Sequence, residues 1–455
     1  MTPEFDVAVI GGGLAGASLA CALEGRGWKT ALVELHAPDS ETRPGFDDRG
    51  IALSEGSRRI FESIGIWPHI AHEVESIRHI HVSDRGGFGF TRMDAASEGL
   101  PALGYVAPAR VLSAAMVKAL EPLRDTTVIA PARLADIRVG AEAVDLFCQK
   151  GDEPGNDPSA DSDGKGIELR ARLVVAADGA FSTVRARLGV GIHTRPYGQH
   201  AVVANVVPGK AHGGVAYERF TDTGPLALLP LTEGRCAVVW SVLDTEVEKT
   251  LALTDEEFLA GLQERFGWRL GRFRKVGRRQ SFPLRLMEAD EQVRPRIAIL
   301  GNAAHALHPI GGQGFNLGLR DVAALADVIG DGACADPGGL EVLERFQQAR
   351  RADLRKVTGF THGLARLFSN RTPGPRLGRN LGLFALDLLP AARSLLVRHA
   401  AGVAGDLPRA ALGRGAVGNS RGAVGNSRGA TANSRGAVAD GGGPGVAGKA
   451  TEKYS

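Results

Sequence analysis

Asp6-Val-Ala-Val-Ile-Gly-Gly-Gly-Leu-Ala-Gly16 decides the fold. Val7 to Ile10 is apolar and β-branched, which reads as a buried strand. Gly11, Gly13 and Gly16 then fit G-x-G-x-x-G, and Ala17 to Leu23 continues as a helix of small residues. In this strand–turn–helix context the glycines permit a tight turn and bring backbone close to a pyrophosphate at the helix N-terminus. The next strand, Lys29 to Val33, ends on Glu34, 23 residues after Gly11. A carboxylate there can accept hydrogen bonds from both hydroxyls of a ribose, which favours a dinucleotide without a phosphate on its adenosine ribose. The expected fold class is α/β, with a Rossmann-like domain at the start of the chain.

Two later stretches repeat the strand–loop–helix pattern. Arg296 to Leu300 reads as a short buried strand, followed by Gly301-Asn-Ala-Ala-His-Ala-Leu-His-Pro-Ile-Gly-Gly-Gln-Gly-Phe-Asn-Leu-Gly-Leu-Arg-Asp321. Gly311, Gly312 and Gly314 let backbone approach a ligand where a Cβ would collide. The N–H groups opening the following helix suit an electron-rich ligand edge, and Pro309 fixes one wall of the loop. Taken alone, such a loop is a phosphate cradle or a tight turn about as often as a redox site. Between these stretches, Ala171 to Ala177 reads as a strand that runs into Asp178-Gly179-Ala-Phe-Ser-Thr-Val-Arg185, the pattern D-G-x-x-S-x-x-R. Ser182 is placed to cap the next helix.

With these three motifs in this order, the chain resembles the single-component flavoprotein aromatic hydroxylases over residues 4 to about 408. Within them it is similar to the ubiquinone-biosynthesis hydroxylases, in particular to the 2-polyprenyl-6-methoxyphenol hydroxylases. Phe46-Asp-Asp-Arg-Gly-Ile-Ala-Leu53 looks like their D-x-R-x-x-A-L segment, and Tyr217 to Pro230 looks like part of their substrate sheet. Most of the wider family carries Asp where this chain has Asn302. An amide can still hydrogen-bond a ribityl hydroxyl, but one negative charge beside the cofactor is removed.

The resemblance implies FAD as cofactor, with NAD(P)H and O2 as co-substrates. It implies ring hydroxylation of a polyprenylated phenol through a flavin C4a-hydroperoxide. The implied cofactor-binding residues are Gly11, Gly13, Gly16, Glu34, Arg49, Arg110, Asp178, Gly179, Gly301, Asn302, Pro309, Gly311, Gly312, Gly314, Asn316 and Leu317. Arg49 reads alternatively as a helix-capping arginine and Arg110 as half of a surface salt bridge. No catalytic base is assigned; His305 and His308 read as structural parts of the late loop. The implied FAD-binding domain is of the para-hydroxybenzoate hydroxylase type and comprises 1–76, 100–190 and 288–345. An interleaved β-sheet substrate domain takes 77–99 and 191–287, and a C-terminal helical segment 346–408. Phe220, Leu226, Leu228 and Pro230, with Phe282, are expected to line an apolar face of the substrate sheet. Rival readings are a same-fold flavoenzyme for a soluble phenol, a prenyl-chain reductase, and a flavin-bound assembly subunit.

Composition sets outer bounds. The chain has 455 residues, 44% hydrophobic and 23% charged, enough for a large core. Four cysteines without C-x-x-C spacing suggest neither a metal site nor a disulfide framework. Asp157, Asp161 and Asp163 match no calcium loop. A strand begins by residue 5 and no run of 18 apolar residues occurs, so a cytoplasmic protein is expected. Nothing in the net charge of +3 points to nucleic acid. From Arg350 to Arg414, however, twelve basic residues stand against three aspartates, interleaved with Leu381 to Leu389 and Leu395 to Val397. This pattern suits a peripheral contact with the inner face of the cytoplasmic membrane, or a biosynthetic complex. It equally suits leucines packed on the flavin domain with solvated arginines. The tail, 409–455, repeats Gly-Ala-Val-Gly-Asn-Ser-Arg without large apolar residues and is expected to be disordered.

Overall fold

The computed structural model describes residues 4–37, 49–151, 166–330, 334–369, 380, 382, 384–385, 387–404 and 408–412. Phe46 to Asp48, the acidic stretch 152–164 and the repeats from 413 onward lie outside them.

Three sheets carry the fold. The first is built on parallel neighbours β19 (Ile297–Ile299), β11 (Ile167–Ala176), β1 (Phe5–Ile10), β2 (Thr30–Val33) and β8 (Thr126–Ile129). An antiparallel extension, β9 (Ala132–Val139) and β10 (Val144–Lys150), joins at β11, and β18 (Val293–Arg294) closes the far edge. Val7, Val9, Leu32, Leu173 and Val175 are fully buried on one face against helices α1 (Leu14–Leu23), α3 (Ala109–Leu120) and α7 (Gln313–Ile329). Continuous apolar runs of this kind are what a parallel sheet covered on both faces demands.

The second sheet has nine strands. Its order is β20 (His305–Ala306), β17 (Gln280–Ala289), β12 (Ile192–Val207), β15 (Cys236–Leu243), β14 (Gly224–Pro230), β13 (Val215–Thr221), β5 (His79–Asp84) and β6 (Phe90–Asp94), with β16 (Lys275–Val276) beside β12. Helix α6 (Asp255–Phe266) starts with a capping box between Thr254 and Glu257 and covers one face with Phe258, Leu262 and Phe266. A small third sheet, β3 (Gly50–Ser54), β7 (Gly104–Pro108) and β4 (Glu75–Ile77), stands where the chain passes between the two large ones. Helix α2 (Glu55–Ser63) follows β3, α4 (Thr183–Arg187) follows the D-G motif, and α5 (Val247–Ala252) precedes α6.

The long α8 (Leu340–Ser369) and α9 (Pro390–Ala400) complete the described C-terminal part. Two expectations change here. Residues 409–412 belong not to the tail but to a helical turn, α10 (Arg409–Leu412), whose Ala411 is buried in the first sheet's core. Leu226 and Leu228 pack with Trp240 under α6, on the opposite face of the second sheet from Phe220. Strand alternation sends neighbouring positions to opposite faces, and only one of the two sets can share a face with Phe220.

Candidate flavin site and substrate cavity

The first glycine turn splits into packed and open positions. Gly11 has φ +99°, and a Cβ on it would lie 2.6 Å from the Ala177 carbonyl oxygen. One on Gly16 would lie 1.8 Å from the Gly11 carbonyl oxygen. Both are therefore required by the protein's own backbone. A Cβ on Gly13, which caps α1, would meet nothing within 4 Å. Beside it the first N–H groups of α1 have no intrahelical acceptor and carry the positive end of the helix dipole. Glu34 sits at the end of β2, where its carboxylate accepts from the Gly12 N–H at 2.5 Å and the His36 N–H at 3.0 Å.

The D-G motif closes onto this turn. Asp178 Oδ2 accepts from the Val184 N–H at 3.1 Å, while Oδ1 is buried and has no hydrogen-bond partner. Gly179 has φ +82° and open space where a Cβ would be. Ser182 caps α4 by accepting from the Arg185 N–H at 3.0 Å. The buried Arg185 guanidinium donates to the carbonyls of Ala303, at 2.5 Å, and Ala180, at 2.8 Å. It thereby ties this motif to the late one.

In the late motif, Gly301 has φ +56° and sits against α7: a Cβ on Gly318 would be 3.0 Å from its Cα. Asn302 is exposed. The Pro309 carbonyl accepts from the Gly312 N–H at 2.8 Å. Gly311 (φ +67°) and Gly312 (φ +63°) are both left-handed, and α7 starts directly after them with Gly314 open to space. Asn316 is buried and fully engaged. Its Oδ1 accepts from the Ser54 N–H at 2.8 Å and the Ser57 hydroxyl at 2.7 Å, and its Nδ2 donates to Ala52 at 3.0 Å and Gly312 at 2.6 Å. Leu317 is fully buried. These two residues hold the loop; the N–H groups left without an intrahelical acceptor belong to Gln313, Gly314 and Phe315.

The Arg49 guanidinium carbon lies 4.7 Å from the centre of the Phe282 ring. Arg110 pairs loosely with Glu73 at 3.6 Å, both half exposed.

Beneath the late loop lies a buried ionic chain. His305 Nε2 meets Asp321 Oδ2 at 2.6 Å, Asp321 Oδ1 accepts from Arg350 Nε at 2.7 Å, and Asp353 contacts Arg350 at 2.8 Å and Arg320 at 3.0 Å. Burial pushes the Asp321 carboxyl upward, but the charges of His305 and Arg350 overcome it and hold the group below its ordinary value. Arg350, counted in the sequence among the basic surface residues, is thus a buried counter-ion. His308 is buried, its ring edge-on to Tyr197 at 5.0 Å, and burial lowers its pKa to about 4. The hydroxyl of Tyr197 lies 3.1 Å from His362 Nδ1.

A cavity of about 450 Å³ opens between this loop and the second sheet. Ile310, Gly311 and Gln313 form its wall on the side of the late glycine loop, Ile80, Val82, Phe220 and Glu218 its sheet wall. Val357, Phe360 and Leu364 of α8 and Leu396 and Val397 of α9 enclose it. Glu218 shares its strand face with Ala216 and Phe220, and burial raises its carboxyl to about 7. The sequence reading quoted this strand without singling out Glu218. The available signal was its period: a carboxylate at an otherwise apolar face position.

These residues fit FAD on three counts. Two helix N-termini point at open space beside Gly13 and Gly314, the glycine turns are close enough for backbone to touch a ligand, and Asp178 Oδ1 is a buried acceptor awaiting a donor. The comparisons agree. Residues 4–361 match the FAD binding domain family. The chain is 38% identical to ubiquinone hydroxylase UbiL of Rhodospirillum rubrum, over 87% of this chain and 89% of that one. It is 30% identical to 3-demethoxyubiquinol 3-hydroxylase of Escherichia coli, over 88% and 98% respectively. Its fold superposes with a TM-score of 0.70 on p-nitrophenol 4-monooxygenase PnpA of Pseudomonas putida, at 20% identity, covering 87% and 97%. The protein is an FAD-dependent monooxygenase and belongs to the flavoprotein hydroxylase family that includes the ubiquinone hydroxylases.

Proposed function

We propose that this protein hydroxylates the aromatic ring of a polyprenylated phenol in ubiquinone biosynthesis, with NAD(P)H and O2 as co-substrates. The observation that carries the reading is the cavity: one end is the flavin loop, the walls are almost wholly apolar, and the far side is made by C-terminal helices. A polar ring seated by the flavin and a hydrocarbon chain running toward α9 suit that lining. The relatives named for ubiquinone chemistry support the same substrate class.

The chemistry FAD supplies when bound is oxygen activation, which no side chain can provide. The chain's own residues do the rest. Gly13, Gly179, Gly301, Gly311, Gly312 and Gly314 offer backbone to the cofactor; Glu34, Asp178 and Asn302 offer acceptors to its hydroxyls. Arg49 and Arg110 stand ready to contact the flavin and its phosphates. Asn316 and the Asp321–Arg350 pair hold the loop in register with α8. The apolar wall excludes water from the ring.

Contact with a membrane surface belongs to the same proposal. Among the described residues no helix is long and apolar enough to cross a membrane. Phe384, Leu388, Leu389 and Leu395 are nevertheless exposed, and α9 carries both Leu395 on its surface and Leu396 in the cavity wall. Exposed apolar residues beside Arg398 suit the headgroup region of an anionic bilayer, where a prenylated substrate resides.

Mass spectrometry of quinone intermediates in cells lacking this protein tests the reaction. Falling ubiquinone with an accumulating prenylphenol supports it, and the intermediate names the ring carbon. Unchanged quinone levels would remove the ubiquinone reading. Sedimentation with vesicles of acidic phospholipid tests the surface: binding weakened by L388E/L395E supports it, and equal recovery in the supernatant refutes it.

A further inference from the structure

The cavity wall contains very few polar groups able to reach a ligand. Asn316 has all its amide capacity engaged by protein. The Ser54 hydroxyl is held by Ser57, and Gln313 Nε2 donates to the Gly311 and Ala400 carbonyls at 3.1 and 3.3 Å. The Thr91 hydroxyl is uncharged, its oxygen buried without a hydrogen-bond partner. Glu218 differs. It stands in the middle of β13, opposite Val82 on β5 and Ala227 on β14, with neither a hydrogen bond nor an ion pair to a described residue. The surface it retains faces the cavity.

Charged neighbours do not account for it. Asp84, further along β5, accepts from Asn380 Nδ2 at 3.0 Å. Arg219 and Tyr217 occupy the alternate face of β13, where Tyr217 packs edge-on against Phe266. His399 of α9 is the other titratable side chain in the wall. A carboxyl in an apolar wall without a partner is costly and calls for a ligand that satisfies it.

We propose that Glu218 is the specificity-determining residue of the cavity, hydrogen-bonding a hydroxyl of the substrate ring. Either protonation state serves, since the carboxylate accepts from a hydroxyl and the carboxylic acid can also donate to one. The apolar remainder of the wall fits any hydrocarbon chain of suitable width; Glu218 distinguishes a free ring hydroxyl from a masked one. The proposal rests on the prenylphenol reading above.

The test titrates the FAD-loaded full-length protein with 2-prenylphenol and with its O-methyl ether, reading binding from flavin fluorescence and hydroxylation from product mass. Wild type is expected to favour the free phenol by at least roughly tenfold, as buried polar sites do against ligands lacking the matching group. E218L is expected to erase that preference and raise KM for the phenol by a similar factor, with FAD content unchanged. E218Q, which can still hydrogen-bond, is expected to keep most of it. A wild-type preference below threefold overturns the proposal whatever the variants do, as does an E218L protein that discriminates like wild type. If wild type binds neither compound, the prenylphenol reading itself fails and takes the proposal with it. That failure appears before any variant is made.

Discussion

The two glycine turns proposed to hold the flavin are built on opposite plans. The turn before α1 is held by backbone against backbone: Gly11 against Ala177, Gly16 against Gly11. The turn before α7 is held by side chains of that helix reaching out to other elements, Asn316 to β3 and Asp321 to Arg350 on α8. A turn locked by its own backbone is rigid wherever it occurs. A turn clamped by such side chains ties the flavin loop to the elements that wall the substrate cavity.

Breaking the first plan should have the largest effect. Gly16→Val places a side chain where even a Cβ would lie 1.8 Å from a carbonyl oxygen, with only backbone to yield. The expected outcome is no soluble, flavin-loaded protein; normal yield with bound FAD would show that the turn can open. Breaking the second plan should cost less and remain measurable. Asp321→Asn takes one of its two carboxylate partners from the buried Arg350, leaving only Asp353, a loss of up to about 3–5 kcal/mol. Asn316→Ala strands the Ser54 N–H and the Ala52 carbonyl at about 1–3 kcal/mol for each buried group left unpaired. Urea unfolding of the apoprotein measures both. The clamp plan further expects substrate KM to rise in Asn316→Ala, since Ala52 to Ser54 also line the cavity.

A milder pair of changes separates folding from binding. Gly13→Ala and Gly314→Ala put a methyl group into space the protein does not use. Apoprotein stability should move by no more than about 0.5–1 kcal/mol, because alanine suits the helix at Gly314 better than glycine and the N-cap at Gly13 somewhat less well. FAD affinity should fall at least tenfold, read by equilibrium dialysis. Unaltered affinity in either variant would place the cofactor away from that turn.

This contrast also explains what was legible in the sequence. Gly11 to Gly16, Asp178 to Arg185 and Gly301 to Gly314 carry their geometry within a dozen or so neighbouring positions, so their strand–turn–helix context could be read directly. The basic count misplaced Arg350 because its partner Asp321 lies 29 residues away and composition holds no partners. Leu226 and Leu228 line an apolar face but do not share it with Phe220, because a strand's period shows which of its own residues share a face and not which face of the neighbouring strand they join. Glu218 was passed over for the same reason. Its meaning depends on Val82, Ile310 and Phe360, which the fold alone brings to one cavity.

A last test probes that cavity from within. Burial raises the Glu218 carboxyl from 4.5 to about 7, so between those values the folded protein holds a proton that the unfolded chain releases. Stability therefore falls across that window as pH rises. His308 acts the other way: lowered from 6.5 to about 4, it is neutral in the fold while the unfolded chain still binds a proton, so stability rises with pH between those values. The two slopes oppose each other over most of the same range, and a wild-type pH curve would conceal both. The difference between Glu218→Gln and wild type isolates one of them. Its melting-temperature advantage should widen from pH 5 to pH 8, because the amide pays no penalty for ionising in an apolar wall. A constant difference would mean that the Glu218 carboxyl lies in water, and the cavity would lose its acidic anchor.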